Sequence, residues 1–301
     1  PSTLAARNLR LLGPNVEPPI FQQAFHGRTV ESARNSADML RVHGPSRFVK
    51  WMSAHQHKDR RFGYVYRYHS RSDAHSISLC EEIVCDLLKS SQALREHAAK
   101  GVVFYEINCK FTWPVSRKTR TLDLAIGPAV EPRPPAGGAR IRRGAVKEVL
   151  ISCEAKTVMT EHGKSKPRVY DELSSSHEIV HQGRQDAIAA GITVVNIAKT
   201  FVSPLRQQAG RGLQVSEHKQ PEAAEGMIRH LRGLPIRDDV GKVGFDAYAT
   251  VVVDCDNIHA VHLWTDPPAP QPGDPDHYNT FIARISRFYD ARFSRLVFRR
   301  F

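Results

Sequence analysis

One continuous apolar stretch, GITVVNIAKTFVS at residues 191–203, constrains the fold more than any other part of the sequence. Its apolar residues do not alternate with polar ones, as they do in a strand that has one face in water. A strand of this composition is typically buried on both faces, so helices have to cover both sides of its sheet. The stretch therefore predicts an α/β fold.

Three more strands are predicted upstream of this stretch, at residues 101–111, 120–127 and 147–159. A helix is predicted before them at residues 73–97, and a second helical segment follows them at residues 168–190. The predicted order is helix, three strands, helix, strand. Between the second and third strands lies a loop rich in Pro, Gly and Arg, for which we expect no regular structure.

The flanks of this core differ from it in composition. A helix is predicted at residues 29–42, and a strand pair is predicted at residues 244–257 and 258–265. A proline-rich linker then leads to an aromatic-rich terminal helix, which is typical of a core or dimer contact. We expect three parts: a basic DNA-contacting part at 1–72, a catalytic core at 73–203 and an elaboration at 204–301. The elaboration is expected to belong to the same globular unit as the core.

The charge of the chain favours a polyanionic partner. There are 43 Lys and Arg against 31 Asp and Glu, a formal net charge of +12, so nucleic acid is the first candidate and a merely soluble basic protein is the alternative. Five scattered cysteines without a C-x-x-C pair indicate neither a disulfide framework nor a thiolate zinc site. With no apolar run long enough for a membrane span and no secretory signal, we expect a cytoplasmic protein without membrane contact.

Two predicted strands carry acidic residues on faces otherwise suited to burial. Alternation in TLDLAIG places Leu122, Leu124 and Ile126 on one face and Asp123 on the other, and alternation in LISCEAKTV places Glu154 and Lys156 together. If the strands pair with Asp123 beside Glu154, the two carboxylates suit Mg²⁺, which takes one or two protein carboxylates plus substrate phosphate. Lys156 then lies where it can help to generate a hydroxide nucleophile. The alternative is a salt-bridged strand pair at the surface.

The predicted helix at residues 73–97 adds a third acid. Its apolar stripe runs past Cys80 and Val84, which puts Glu82 and Asp86 on the solvent side and Glu81 at the edge of the stripe. Glu81 is therefore expected to face inward.

Asp123 followed by Glu154-Ala155-Lys156, on the second and third strands of this helix-strand unit, resembles the PD-(D/E)xK nuclease superfamily. The resemblance covers residues 73–203. It implies a mixed central sheet flanked by helices, a restriction-endonuclease-like core, in which Asp123, Glu154 and Lys156 are catalytic. Asp123 and Glu154 would bind Mg²⁺, and Glu81 matches the slot of an additional metal-binding acid. Thr121-Leu122 stands where a proline often precedes the acid.

Within that superfamily, the size of the chain and the lack of a nucleotide-binding loop favour a type II restriction endonuclease acting on double-stranded DNA. Two strands have to be cut, so we expect a homodimer on a palindromic or near-palindromic site. A DNA repair or junction nuclease is an alternative with the same core. A DNA-binding protein that has lost catalysis is another.

Three basic segments are candidates for contact with DNA phosphates. The stretch at residues 47–71 also carries Trp51 and Tyr64, Tyr66 and Tyr68, which could stack on bases or belong to an ordinary strand. A solvated surface is the alternative for this stretch and for the segment after the third strand. The candidate residues are Arg60 and Arg61 in this stretch, Arg142 and Arg143 in the Pro/Gly/Arg loop, and Lys164, Lys166 and Arg168 after the third strand.

The sequence His177-Glu178-Ile179-Val180-His181 matches the H-E-x-x-H pattern of zinc metalloproteases. The extended form of that pattern needs Gly at position 184 and His at position 187, where this chain has Arg184 and Ala187. A zinc protease is therefore the least favoured alternative. We expect both histidines to pack against the sheet or to join a polar network.

Overall fold

The computed structural model describes residues 43–59, 61–113, 117–135 and 140–296. The helix predicted at residues 29–42 and the candidate phosphate contact Arg60 lie outside these ranges.

A seven-stranded mixed sheet forms the centre of the described protein. The strands of the described residues are β1 (His57–Lys58), β2 (Val65–Tyr66), β3 (Val103–Thr112), β4 (Thr119–Pro128), β5 (Arg142–Arg143), β6 (Ile151–Val158), β7 (Ile188–Asn196), β8 (Thr200–Phe201), β9 (Ser216–Glu217), β10 (Ala247–Asp254) and β11 (His262–Trp264). The order in the central sheet is β11-β10-β7-β6-β4-β3-β5. In this sheet β3–β4, β4–β6 and β10–β11 pair antiparallel, and β3–β5, β6–β7 and β7–β10 pair parallel. Two short ladders, β1–β2 and β8–β9, lie outside it.

Helices cover both faces of this sheet. The α-helices of the described residues are α1 (Gly44–Ala54), α2 (Ala74–Ser90), α3 (Gln92–Ala99), α4 (His162–Gly183), α5 (Glu222–Leu231) and α6 (Tyr278–Phe293). One buried cluster, the α2-side cluster, joins the sheet to α1, α2, α3 and α6. The other, the α4-side cluster, joins it to α4 and α5.

The apolar stretch that predicted an α/β fold forms a central strand. All nine residues of β7 are buried, and the strand pairs parallel with β6 on one side and β10 on the other. The strand begins at Ile188, three residues before the predicted stretch, and ends at Asn196. The α/β prediction is therefore confirmed, with a shifted boundary.

The two predicted helices of the core have different boundaries from those expected. The first divides at Ser91, whose side chain caps α3 by accepting a hydrogen bond from the Leu94 N–H. The second begins at His162, where the sequence GKSKP suggests a loop, because the buried His162 ring is anchored to the Asn196 carbonyl at 2.7 Å. That helix ends at Gly183, so residues 188–190 are strand and not helix.

The acids placed on the solvent face of α2 are covered by α1. Asp86 is fully buried and accepts hydrogen bonds from the Gly44 N–H, the Arg47 guanidinium and the Tyr278 hydroxyl. Arg47 also pairs with Glu82. The solvent-face prediction was wrong for Asp86, because helical periodicity identifies opposite faces but cannot show that another helix covers the polar one.

The last third of the chain completes the sheet and its cover. β10 and β11 extend the sheet beyond β7, and α6 buries its aromatic residues in the α2-side cluster. The Pro/Gly/Arg loop, expected to lack regular structure, contributes the two-residue strand β5. None of the helices in the described ranges combines the length and apolar content needed to cross a lipid bilayer.

Candidate active site

Asp123 lies where β4 separates from β6. The ladder between these strands runs from Ile126 opposite Ile151 to Leu124 opposite Cys153 and stops there. One residue further, Asp123 Oδ2 accepts a hydrogen bond of 2.8 Å from the backbone N–H of Ala155. The carboxylate thus replaces a backbone acceptor and is held beside Glu154.

A local twist in the sheet accompanies this separation. Asn108 of β3 adopts a left-handed conformation with φ of 54°, and the ladder between β3 and β4 pairs the residues on either side of it but not Asn108 itself. Leu122 consequently packs in the α4-side cluster, whereas Leu124 and Ile126 pack in the α2-side cluster. The prediction that these three residues share one face was wrong, because it assumed regular alternation through the twist.

Glu154 and Lys156 lie together on one face of β6, as predicted, and α4 packs on that face. Lys156 Nζ is 2.7 Å from Glu154 Oε1, and the Ser176 hydroxyl of α4 donates to Glu154 Oε2 at 3.3 Å. The Arg120 guanidinium of β4 lies 3.5 Å from Oε1. Glu154 is only 5% exposed, so these neighbours offset the cost of burying its charge.

Asp123 is buried and lies close enough to Glu154 for one carboxylate to affect the ionisation of the other. Burial and the nearby Glu154 carboxylate raise the pKa of Asp123 to about 6, although the Ala155 N–H and Lys156 act against this. Burial opposes the charge on Lys156, but the carboxylates of Glu154 and Glu172 outweigh it and raise the pKa of the ammonium. Lys156 is therefore charged at neutral pH.

Asp123 and Lys156 line a cleft of about 490 Å³ between the start of α2 and the first half of α4, which we call the Asp123 cleft. Glu154 lies behind Lys156 and does not line the cleft. The wall also carries Asp73, Arg168 and Glu172, and Glu172 Oε2 lies 3.2 Å from Lys156 Nζ. The cleft therefore presents both acids and cations at its surface.

The structure does not bring Glu81 to this cleft. Its carboxylate lies 3.7 Å from Arg143 Nη1, beside β5, and it is absent from the cleft wall. Asp73, immediately before α2, faces the cleft instead and contributes to the raised pKa of Asp123. Asp73 was not among the site residues predicted from the sequence. Its position where α2 begins was the signal that it could also reach the end of the sheet.

Arg120, Glu172 and Ser176 were also missed by sequence reasoning. They surround Glu154 and Lys156 from β4 and α4. A helical repeat of four residues places Glu172 and Ser176 on one face of α4. Nothing in the sequence alone shows that this face meets β6.

Asp123 and Glu154 are the two candidate carboxylate ligands for a divalent cation; only Asp123 lines the cleft, and Glu154 is paired with Lys156. Asp123 Oδ1 makes no hydrogen bond to a described residue, and the raised pKa of Asp123 shows that positive charge would be favourable there. Mg²⁺ keeps several waters and needs only one or two protein carboxylates. Within the described residues, no group of three or more His, Cys, Asp or Glu is arranged to hold a metal ion, so a site supplied entirely by protein ligands does not fit.

The predicted phosphate contacts lie in three separate places. In the first turns of α4, Arg168 lines the Asp123 cleft and pairs with Glu172 at 3.0 Å. Lys164 is 83% exposed and lies 3.5 Å from Glu161, and the Lys166 ammonium lies beside Gly226 of α5. Of this segment, Arg168 therefore borders the site most directly.

The other predicted contacts do not line the Asp123 cleft. Arg142 and Arg143 form β5 at one edge of the sheet, and Arg61 is exposed in the turn between β1 and β2. Tyr66 and Tyr68 are buried, so their rings support the local packing and are not available to stack on bases.

The H-E-x-x-H residues occupy α4 but do not converge on a metal site. His177 is buried against Phe245, with ring centroids 4.9 Å apart, and burial and the neighbouring His181 lower its pKa to about 4. His181 Nε2 lies 3.1 Å from the buried Asp246 carboxylate, while Glu178 is exposed. The two histidines are thus in the packed and networked positions expected for them.

The arrangement has the parts needed to place a cation and an ammonium next to a phosphate. Asp123 and Glu154 supply negative charge, Lys156 supplies a proton donor, and the cleft beside them is open to a ligand. Comparison with protein-family models, with curated proteins and with solved structures gives no match to this chain.

Proposed function

We propose that this protein is a Mg²⁺-dependent nuclease that hydrolyses phosphodiester bonds in double-stranded DNA, with a restriction-endonuclease-like core of the PD-(D/E)xK type. The observation that carries the proposal is the position of Asp123, hydrogen-bonded across the end of the β4–β6 ladder, next to Glu154 and Lys156. The order of α2, β3, β4, β6, α4 and β7 supports it, because it matches the predicted helix-strand order.

Asp123 and Glu154 would hold the cation. Bound Mg²⁺ supplies Lewis-acid polarisation of the phosphate and a lower pKa for coordinated water. Lys156, kept charged by Glu154 and Glu172, would orient the attacking water and donate a hydrogen bond to a phosphate oxygen. Glu154 in turn holds the ammonium 2.7 Å from its own Oε1, and Ser176 and Arg120 fix the carboxylate from behind.

The net charge of +12 favours DNA as the polyanion. Arg168 at the cleft wall is the side chain best placed to contact a phosphate next to the scissile one. Within nucleases, we favour a type II restriction endonuclease that acts as a homodimer, because cutting both strands takes two such sites.

Plasmid digestion tests the proposal. Wild-type protein is expected to cut supercoiled plasmid in Mg²⁺ and to leave it intact in EDTA, with discrete fragments for a site-specific enzyme. Glu154→Gln and Lys156→Met should each reduce the rate by at least about 100-fold. Glu178→Gln, on the exposed side of α4, is the matched control and should cut like wild type.

Each other result has a definite meaning. A smear of products would identify a nuclease without site preference. Binding of DNA without cleavage in Mg²⁺ or Mn²⁺ would contradict catalysis and leave a DNA-binding protein. Cleavage that survives Glu154→Gln and Lys156→Met would place the active site elsewhere.

A further inference from the structure

A second cleft, of about 550 Å³, opens around the β1–β2 turn beside the Asp123 cleft. Its walls come from the β1–β2 hairpin, from the segment leading to α2, and from the short 3-10 helix Pro204–Arg206 with Gln207 after it. The residues lining it are His57, Lys58, Asp59, Arg61, Phe62, Tyr66, His69, Arg71, Pro204, Leu205 and Gln207. The proposed catalytic chemistry uses none of these residues.

The two clefts share one wall. Pro204 and Leu205 line both of them, and Leu205 is an apolar side chain with 52% of its surface exposed. A ligand that runs from one cleft to the other therefore has to pass over Leu205. Apolar side chains in such positions are used by DNA-binding proteins as wedges between neighbouring bases.

The charge of the second cleft suits a phosphate. Lys58, Arg61 and Arg71 supply three cations against a single acid, Asp59. One oxygen of Asp59 is already occupied, because Oδ1 accepts hydrogen bonds from the backbone N–H groups of Arg61 and Phe62 at 2.7 and 3.3 Å. The acid thus shapes the turn, and three cations against one acid leave the cleft with a surplus of two positive charges.

The rings of the second cleft suit a nucleobase. His57 and His69 are stacked with centroids 4.2 Å apart, and Phe62 contributes a half-buried ring whose centroid lies 6.4 Å from that of Tyr64. His69 Nδ1 accepts a hydrogen bond of 3.2 Å from the Arg71 N–H. Flat rings of this kind stack on any base, because every base has a π-face.

We propose that the second cleft binds one unpaired nucleotide of the DNA strand whose phosphate occupies the Asp123 cleft, with Leu205 filling the gap that this nucleotide leaves in the base stack. The proposal rests on the proposed function, because it takes the strand in the Asp123 cleft to be DNA. It adds a substrate property, namely that the nucleotide next to the cleavage point is held out of the helix.

Extruding a nucleotide from a duplex costs free energy, and a nucleotide that is already unpaired avoids that cost. The preference can therefore be measured as binding, apart from cleavage. Lys156→Met protein without Mg²⁺ is titrated into two fluorescein-labelled duplexes of the same sequence, one fully paired and one with a single unpaired nucleotide at its centre. We expect the second duplex to bind about tenfold more tightly in fluorescence anisotropy.

Phe62→Ala, Arg71→Ala and Leu205→Ala, each made in the Lys156→Met protein, should remove this preference while largely keeping affinity for the paired duplex. Arg71 and Leu205 are exposed, so these two variants do not threaten the core, and unchanged thermal melting checks each fold. Arg229→Ala is the matched control, because Arg229 is 75% exposed on α5, outside both clefts.

Equal affinity of Lys156→Met protein for the two duplexes would overturn the inference and leave the nuclease proposal standing. Variants whose affinity for both duplexes falls by the same factor would also overturn it, because that result identifies a phosphate contact only. The opposite combination is also distinguishable. If the preference depends on the second cleft but wild-type protein does not cut plasmid in Mg²⁺, the nucleotide site is supported and the nuclease proposal is contradicted.

Discussion

Asp123 accepts its hydrogen bond from Ala155 and not from a residue of its own strand, at a distance of 2.8 Å. This bond joins β4 to β6 just beyond the last backbone pair, Leu124 with Cys153. It also fixes the carboxylate of Asp123 beside that of Glu154. Burying two carboxylates close together is unfavourable, so this position depends on the hydrogen bond. The geometry of the candidate site therefore depends on a contact that has a structural role as well.

Asp123→Asn should stabilise the metal-free protein at neutral pH. The folded pKa of about 6 lies above the ordinary value of 3.8, so the folded state binds a proton more tightly than the unfolded state. The stability that this proton provides is fully present below pH 3.8 and is lost as the pH rises through about 6. Above that pH, the free energy of unfolding measured in urea should be higher for the variant than for wild type by about 1–3 kcal/mol.

The pH profile separates this effect from a simple change in packing. The difference between Asp123→Asn and wild type should shrink as the pH falls from about 6 towards 3.8, where both side chains are neutral. An equal difference at pH 7 and pH 4 would contradict the raised pKa. Added Mg²⁺ should reverse the order at neutral pH by stabilising wild type alone.

Asp73→Asn should weaken Mg²⁺ binding more than Glu81→Gln does. Asp73 faces the Asp123 cleft, whereas Glu81 pairs with Arg143 beside β5. Outer carboxylates near a metal site typically change affinity by about tenfold or more. Titration calorimetry with Mg²⁺ measures both variants, and a larger loss for Glu81→Gln would restore the role predicted for Glu81 from the sequence.

His177→Phe should retain or increase the stability of the protein in acid. Neither ring nitrogen of His177 has a hydrogen-bond partner among the described residues, and the ring packs edge-on against Phe245. Its pKa is lowered from 6.5 to about 4, so wild type loses stability as the pH falls through this window. The free energy of unfolding should therefore fall less for the variant than for wild type, and the difference should be about 2 kcal/mol at the acidic end of this pH window.

His181→Phe is the matched comparison, since it removes the contact of 3.1 Å with buried Asp246 and should lower stability. Urea denaturation between pH 7 and pH 4 measures both variants. A zinc protease would instead lose peptide hydrolysis in both variants and would respond to a zinc chelator.

Asp246→Asn should destabilise the fold strongly. Asp246 is fully buried and binds Arg237, Arg292 and His181, and its Oδ2 also accepts from the Ala189 N–H at 2.9 Å. Burial opposes its ionisation, yet these partners lower its pKa. Removing one charge leaves the guanidinium of buried Arg237 uncompensated, which typically costs about 3–5 kcal/mol.

The loss should appear as a lower urea midpoint with an unchanged slope. Asp239→Asn is the control, because Asp239 pairs with Lys242 at the exposed surface, and its midpoint should equal that of wild type. A midpoint for Asp246→Asn that matches the control would show that the cluster is not structurally important.

The central sheet could be predicted from sequence because its strands carry their own signals. β7 is apolar throughout, and β6 alternates in a way that puts Glu154 and Lys156 on one face. The placement of Asp123 beside Glu154 followed from that pairing. These features are local in sequence or depend only on neighbouring strands, so periodicity is sufficient for them.

The remaining errors come from contacts between distant segments. Asp86 is buried because α1 lies over it, and Glu81 turns to Arg143 of a short edge strand. The twist at Asn108 moves Leu122 to the other face of the sheet. No pattern within one helix or strand contains the partner that decides these positions, so sequence periodicity could not identify them.

The place of β10 beside β7 has a consequence for synthesis on the ribosome. Until residues 247–254 have emerged, the long edge of β7 presents unpaired backbone groups and an apolar face. A nascent chain that already contains Asp123, Glu154 and Lys156 is therefore still incomplete and prone to aggregate. Maturation of the whole sheet has to wait for the translation of a strand that begins about 90 positions after Lys156, the last of these three residues.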